Sequence, residues 1–386
     1  MSEESDAVKI YDKFDDMGIP EEVLRGVYGI GFETPSEIQK RAIKAIMNGN
    51  DVLAQAPSGT GKTGAFVIGA LCNIDRSNPN TQVLIIAPTR ELAQQIEGVA
   101  KGIADHAKTT FASATGGSLV REDLAAMQRG AQFVIGTPGR VFDLMDRKAL
   151  KRDHIKLLIL DEADQMLEGR FKEQVDCILN QGFPSFTKVG LFSATMPDEV
   201  VAIADKLLAR PVRILLPPEQ VTLEGIRQYY VKLDVDAWKF DCLCDLYSQI
   251  NINQAIIYCN ERRKVEWLHK RLQENKFEVG YIHGEMDQKE RKETVRLFRT
   301  GGVRVLVSSD LLARGLDVQQ VSLVINYELP PNQENYIHRI GRSGRFGRKG
   351  VAINLVTPAE QSELIEIEKF YSTHILPLPD TLTDLL

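Results

Sequence analysis

The sequence predicts two α/β domains in tandem, each a parallel sheet flanked by helices, and three observations predict it. Short apolar, β-branched runs alternate with stretches of helical period, the pattern of buried parallel strands joined by crossover helices. The alternation breaks at 210–225, where the Pro217-Pro218 pair can neither continue a helix nor donate to a central ladder. The chain has 386 residues, 43% of them apolar and 26% charged, enough for more than one core and typical of a globular protein.

Taken in order, the strands of the first half are DVLAQAP (51–57), QVLIIAPT (82–89), FVIGTP (133–138), KLLILDEAD (156–164) and VGLFSAT (189–195). Those of the second half are QAIIYCN (254–260), VGYIHG (279–284), VRVLVSSD (303–310), VSLVINYE (321–328) and GVAINLVT (350–357), with helices over KVEWLHKRLQEN and QKERKETVRLFRTG. The expected boundaries are a first domain over 1–216, a linker over 217–224 and a second domain over 225–386. No short-period repeat or low-complexity tract interrupts the pattern.

Composition then excludes several classes. Lysine and arginine total 47 against 53 aspartate and glutamate, a net charge of −6, so the protein is not a generally basic nucleic-acid coat and any polyanion site must be local. The local candidate is HRIGRSGRFGRKG (338–350), which carries five cations and no acid. Five cysteines (Cys72, Cys177, Cys242, Cys244, Cys259) lack paired ligand spacing, which speaks against a disulfide framework or a zinc site and for a reducing compartment. The acidic start MSEESDAVKIYDKFDD has no signal-peptide character, and no 18-residue apolar run occurs. An intracellular protein that does not span a membrane is expected.

The chemistry concentrates in APSGTGKT (56–63), which follows an expected strand and opens an expected helix. There a Gly-rich turn aims backbone N–H groups and a helix N-terminus at phosphates. The loop residues are Pro57, Ser58, Gly59, Thr60, Gly61, Lys62 and Thr63, with Lys62 reaching the β- and γ-phosphates and Thr63 ligating magnesium. Pro57 removes one N–H donor. A nucleotide with magnesium also needs a carboxylate, and KLLILDEAD runs an apolar strand straight into Asp161, Glu162 and Asp164. Asp161 is placed to hold the metal and Glu162 to orient the attacking water; by itself, DEAD reads equally well as an acidic helix cap. Phosphoryl transfer further needs cations across from the γ-phosphate. Arg342 and Arg345, three apart, are the candidates, the other reading of that run being a solvated basic face.

With these residues in view the chain resembles the DEAD-box RNA helicases, most closely their initiation factor 4A branch. The motifs fall in family order: GFETPSEIQ (31–39), APSGTGKT, PTRELA (88–93), Gly116-Gly117, TPGR (137–140), DEAD, SAT (193–195), the IIYCN strand, ARGLD (313–317) and HRIGRSGR (338–345). The resemblance implies two RecA-like domains, ATP and Mg2+ as cofactors, and single-stranded or short-duplex RNA bound by both domains. It implies that Gln39 reads adenine with Phe14 supporting it and Phe32 and Phe346 as stacking candidates, and that Gly315 and Asp317 lie at the nucleotide, Asp317 on the ribose. It makes Arg342 and Arg345 arginine fingers, and Ser193, Thr195 and His338 coupling groups. RNA contacts are implied for Thr89, Arg90, Gly116, Gly117, Thr137 and Arg140, then for Asn260, Ser309 and Asp310. Hydroxyls, loop N–H groups and arginines suit phosphate and 2′-OH contacts that do not read sequence. Pro57, Gln165, Glu261, Ser309 and Ser343 depart from the usual pattern, and Pro57 and Glu261 are expected to weaken nucleotide or RNA binding.

The expected function is that of an ATP-dependent RNA helicase, an RNA-stimulated ATPase that closes on ATP and RNA to unwind short duplexes in translation initiation. A cytoplasmic monomer served by an initiation-factor scaffold that biases closure is expected, with a nuclear place as the variant. Two rivals stand beside it: a partner-inhibited ATP-dependent RNA clamp of the exon-junction type, and a phosphate-loop ATPase acting on DNA or protein.

Overall fold

The computed structural model describes residues 9–56, 59–167, 171–216, 226–250, 252–310, 321–341 and 350–379. The chain divides into two compact units, Met1–Leu216 and Pro217–Leu386. The residues expected to link them, 217–224, lie outside the described residues.

The first unit holds β1 (Val52–Gln55), β2 (Val83–Ile86), β3 (Phe111–Ala114), β4 (Phe133–Gly136), β5 (Leu157–Asp161), β6 (Lys188–Ser193) and β7 (Val212–Leu215). They form one sheet in the order β3-β4-β2-β5-β6-β1-β7, with every pairing parallel. Alternation along β5 shows why its run is apolar throughout. Leu157 and Ile159 enter a core shared with helices Glu21–Gly29, Glu37–Met47, Lys62–Cys72 and Arg90–Ile103. Leu158 and Leu160 enter a second core on the opposite face, with Val141, Met166, Ile178 and Val200. A parallel strand covered on both faces has no solvent side to be polar on.

The second unit holds β8 (Ile226–Lys232), β9 (Ala255–Tyr258), β10 (Val279–Ile282), β11 (Val305–Ser308), β12 (Leu323–Asn326), β13 (Gly350–Val356) and β14 (Leu376–Pro377), in the order β10-β11-β9-β12-β13-β8-β14. Each label is seven more than its counterpart, so the two units share one topology. Again all the pairings are parallel, and Ile256 and Ile257 of β9 face separate cores.

Four strands were not among those expected: β3, β7, β8 and β14. Three are at sheet edges and β8 is next to one. β3 alternates half-buried and buried positions, and β8 carries Arg227, Gln228 and Lys232, so neither reads as a continuous apolar run. β7 corrects the break placed at 210–225, because Val212–Leu215 pairs residue for residue with β1.

Because all strands of a sheet run one way, their carboxyl ends, and the loops that follow, gather on one edge. This is where open α/β sheets hold ligands.

Candidate functional site

In the first unit β1 leads through Ala56 and the phosphate loop into helix Lys62–Cys72. Gly59 and Gly61 have φ of +85° and +95°, conformations that glycine adopts without strain. A Cβ on Gly61 would lie 2.6 Å from Gln39 Nε2, so close packing forbids a side chain there as well. Lys62 is buried at 6% exposure, and its Nζ donates to Ala56 O at 2.8 Å and stands 3.9 Å from the Glu162 carboxylate. Thr63 follows in the first helical turn, half-buried.

Asp161 ends β5 and is 2% exposed, with Glu162 beside it at 5%. Burial first, then the Glu162 carboxylate, pushes the Asp161 carboxyl well above the usual range, and Lys62 opposes the shift. Glu162 has φ +54°, rare for a residue with a side chain, and its N–H donates to Asp161 Oδ1 at 3.1 Å. Asp164 extends the cluster. Its Oδ2 accepts from Thr195 Oγ1 at 2.7 Å, and its N–H approaches Ser193 Oγ at 3.4 Å. Ser193 O in turn accepts from Ala56 N at 3.0 Å. The phosphate loop, the acidic segment and the SAT segment are thus one hydrogen-bonded assembly at the ends of β1, β5 and β6.

Gln39 is 4% exposed and engaged at both ends: Oε1 accepts from Ser36 N at 2.9 Å as part of a capping box, and Nε2 donates to Gly61 O at 3.2 Å. Phe32 is half-buried and packs so close to Gly64 that a Cβ there would meet it at 2.7 Å. Phe14 is fully buried, edge-on to Tyr28 with ring centroids 6.3 Å apart; its ring presents no face for a base and supports the site only through the core.

Further along the same edge, Thr89 caps helix Arg90–Ile103 by accepting from Leu92 N at 3.2 Å. Arg90 lies over Gly116, where a Cβ would come within 3.0 Å of its guanidinium. Gly117 turns with φ +87°. Thr137 occupies the N-cap position of helix Pro138–Asp146, which has proline at its first position. Arg140, expected at the RNA, is held by groups of its own unit. Its side chain is 10% exposed, paired with Asp123, and donates to Ser118 Oγ at 3.2 Å and Ser118 O at 3.1 Å. It ties the Gly116-Gly117 turn to this helix, because a buried guanidinium needs a carboxylate more than a surface one does.

In the second unit Asn260 follows β9, and Ser309 and Asp310 follow β11. Asn260 Nδ2 donates to Leu329 O at 2.9 Å, and its N–H donates to Glu328 Oε2 at 2.7 Å. Ser309 is 9% exposed, and its N–H donates to Ile282 O at 3.4 Å. Both carboxylate oxygens of Asp310 accept from Arg339. His338, on helix Gln333–Ile340, is buried. Glu261, expected to weaken RNA binding, stands at the N-cap position of helix Arg262–Glu274 and is exposed.

Residues 36–203 match the DEAD/DEAH box helicase family, and residues 238–347 match the helicase conserved C-terminal domain. The chain belongs to the DEAD-box helicases. It is 52% identical over 378 residues to eukaryotic initiation factor 4A of Caenorhabditis elegans, covering 98% of this chain and 94% of the relative. It is 55% identical over 377 residues to the ATP-dependent RNA helicase eIF4A of Eremothecium gossypii, covering 98% and 95%. Among solved structures it is similar to S. cerevisiae Dbp5 bound to RNA and ADP BeF3, with a TM-score of 0.89, 35% identity and 95% of each chain covered.

Several residues assigned to this DEAD-box helicase from sequence, namely Pro57, Ser58, Gly315, Asp317, Arg342, Arg345 and Phe346, lie outside the described residues. Sequence reasoning gave no separate role to Asp164, Asp123 or Arg339, all of which organise the strand ends. A signal for Arg339 was present: it stands three residues after Tyr336 and one before Ile340, both buried, on the inward face of a helix. For Asp123, 17 residues from Arg140, there was none.

Proposed function

We propose that this ATP-hydrolysing helicase unwinds short RNA duplexes as the mRNA-unwinding factor of translation initiation, acting in the cytoplasm. The observation that carries the reading is the buried assembly of Lys62, Asp161, Glu162, Asp164, Ser193 and Thr195, in a chain 52–55% identical to initiation factors 4A over 98% of its length. The clamp alternative gains nothing from these relatives, which carry the names of helicases and initiation factors.

In this reading Gly59, Thr60 and Gly61 wrap the phosphates and Lys62 reaches the β- and γ-phosphates. Magnesium fits the residues present: Thr63 and Asp161 offer only oxygen donors, and a divalent cation would hold in its charged form the Asp161 carboxyl that burial and Glu162 otherwise push upward. When bound, the ion neutralises charge on the terminal phosphates. Glu162, poised next to Asp161, orients the attacking water, and Arg342 and Arg345 are the cations assigned to the developing charge. Gln39 and Phe32 flank the loop where the base would lie, with Gly315 and Asp317 assigned to the ribose side.

The RNA backbone is assigned to Thr89, Arg90, Gly116, Gly117 and Thr137 in the first unit and to Asn260 and Ser309 in the second, with Arg140 acting through the turn it holds and Asp310 beside them, both its carboxylate oxygens on Arg339. Ser193, Thr195 and His338 relay the nucleotide state toward that face. A scaffold protein of the initiation machinery that favours the RNA-bound state is the proposed partner.

The test is the steady-state ATPase rate with and without single-stranded RNA, using Glu162→Gln as the blank. RNA stimulation that a 2′-deoxy strand fails to reproduce is expected. Equal stimulation by DNA, or none despite ATP-dependent RNA binding, overturns the reading.

A further inference from the structure

Arg339 is fully buried, yet its guanidinium is hydrogen-bonded on every side. All five guanidinium donors are used. Nε and Nη2 fork onto the Asp310 carboxylate, and Nη2 also donates to Asn260 Oδ1 at 2.6 Å. Nη1 donates to Glu328 O at 2.6 Å and to Asn326 Oδ1 at 3.3 Å. The guanidinium lies over the Tyr258 ring, 5.3 Å from its centroid. One residue on helix Gln333–Ile340 therefore joins the ends of β9, β11 and β12.

What holds Arg339 is a chain of buried amides behind it. Asn326 Nδ2 donates to Asn354 Oδ1 at 2.8 Å, the two residues being register partners on β12 and β13. Asn354 Nδ2 donates to Tyr229 O at 2.9 Å and to Tyr336 OH at 3.2 Å, and Tyr336 OH donates to Gln228 Oε1 at 3.0 Å. Asn326, Asn354 and Tyr336 are all at 0% exposure. A buried polar network whose members are satisfied fixes geometry, since any slip strands a polar group away from water.

We infer that Arg339 is a positioning residue for RNA binding: it neutralises Asp310 from beneath and orients Asn260, so that an anionic backbone meets no bare carboxylate at this edge. The inference deepens the RNA reading of the strand ends and rests on it. A bare Asp310 would repel the phosphates that Asn260 and Ser309 are assigned to meet, whereas a carboxylate held bidentately by arginine presents little net charge.

The experiment measures RNA-stimulated ATP turnover by the full chain with a single-stranded RNA, separating KM for RNA from KM for ATP. Arg339→Gln is expected to raise KM for RNA about tenfold or more, as expected for losing hydrogen bonds to a charged group, while KM for ATP stays within about twofold. Adding Asp310→Asn to that variant is expected to recover most of the RNA affinity. A merely structural arginine predicts instead that KM for ATP rises together with KM for RNA. Should Arg339→Gln fail to fold, Arg339→Lys, which keeps the charge and loses the fork, is expected to raise KM for RNA by a smaller factor. Parental KM for RNA in folded Arg339→Lys, or no recovery in the double variant, overturns the inference. Asn260→Ala is the control for the underlying reading: if it leaves KM for RNA unchanged, the RNA assignment of this edge has failed rather than the role of Arg339.

Discussion

At the scale of single residues, the site works by burying charge and then satisfying it. Glu162 is held in a left-handed backbone conformation at the end of β5, within 3.9 Å of Lys62, a strained position that only the surrounding packing maintains. Glu162→Gln keeps the shape and removes the charge. It is expected to bind ATP within a few-fold of the parent while turnover falls by about a hundredfold or more, the loss expected for removing a group that acts on the proton of the attacking water; nucleotide titration and phosphate release check the two halves. Asp123→Ala is expected to cost about 3 kcal/mol, because it leaves Arg140 buried without its carboxylate. Adding Arg140→Met should return most of that loss, as read from urea unfolding of the first unit. The placement of Lys62, Asp161 and Glu162 at strand ends was legible in the sequence, because strand, loop and helix follow one another there within a few residues. The pairs Asp123–Arg140 and Asp310–Arg339 were not, since 17 and 29 residues separate the partners and only folding brings them together.

At the scale of elements, helices Glu21–Gly29 and Arg90–Ile103 touch backbone to backbone. A Cβ on Gly26 would fall 1.8 Å from Ile103 O, so the glycine sets the distance between them. Gly26→Ala is expected to force the helices apart at about 3 kcal/mol, the upper end of overpacking costs. Thr89 and Arg90 open the displaced helix, so RNA affinity should fall in the same variant; a thermal melt and an RNA titration check both effects. The strands legible in the sequence are the doubly covered ones, because burial on both faces leaves a continuous apolar run. β3 and β8 alternate in burial or carry charges, and β14 is two residues long and includes Pro377. At and beside an edge the sequence is free to be polar, so the apolar signal fades there.

At the scale of the whole molecule, each unit has its own seven-stranded sheet and its own pair of cores. Residues 1–216 and 226–386, produced separately, are each expected to unfold cooperatively on their own, as units with complete cores do. The first alone should bind ATP, and neither alone should show RNA-stimulated turnover, because the residues proposed for the reaction and for RNA are divided between the two halves. Calorimetry of the halves and an ATPase assay of each check this. Turnover by the first half at the full-chain rate would remove the second unit from the chemistry.

The sequence by itself determined the fold class, the phosphate loop, the acidic strand end and the family, because these are written as local order: apolar period, glycine where φ must be positive, and motifs in a fixed succession. Tertiary structure alone decided which partners each polar side chain has. Arg140 and Arg339 are cations by sequence and buried struts by structure, and Gln39 is an amide whose two ends are already engaged. The physical reason is that a charge or amide takes its role from the partner that satisfies it, and in a parallel sheet those partners arrive from strands and helices distant in the chain.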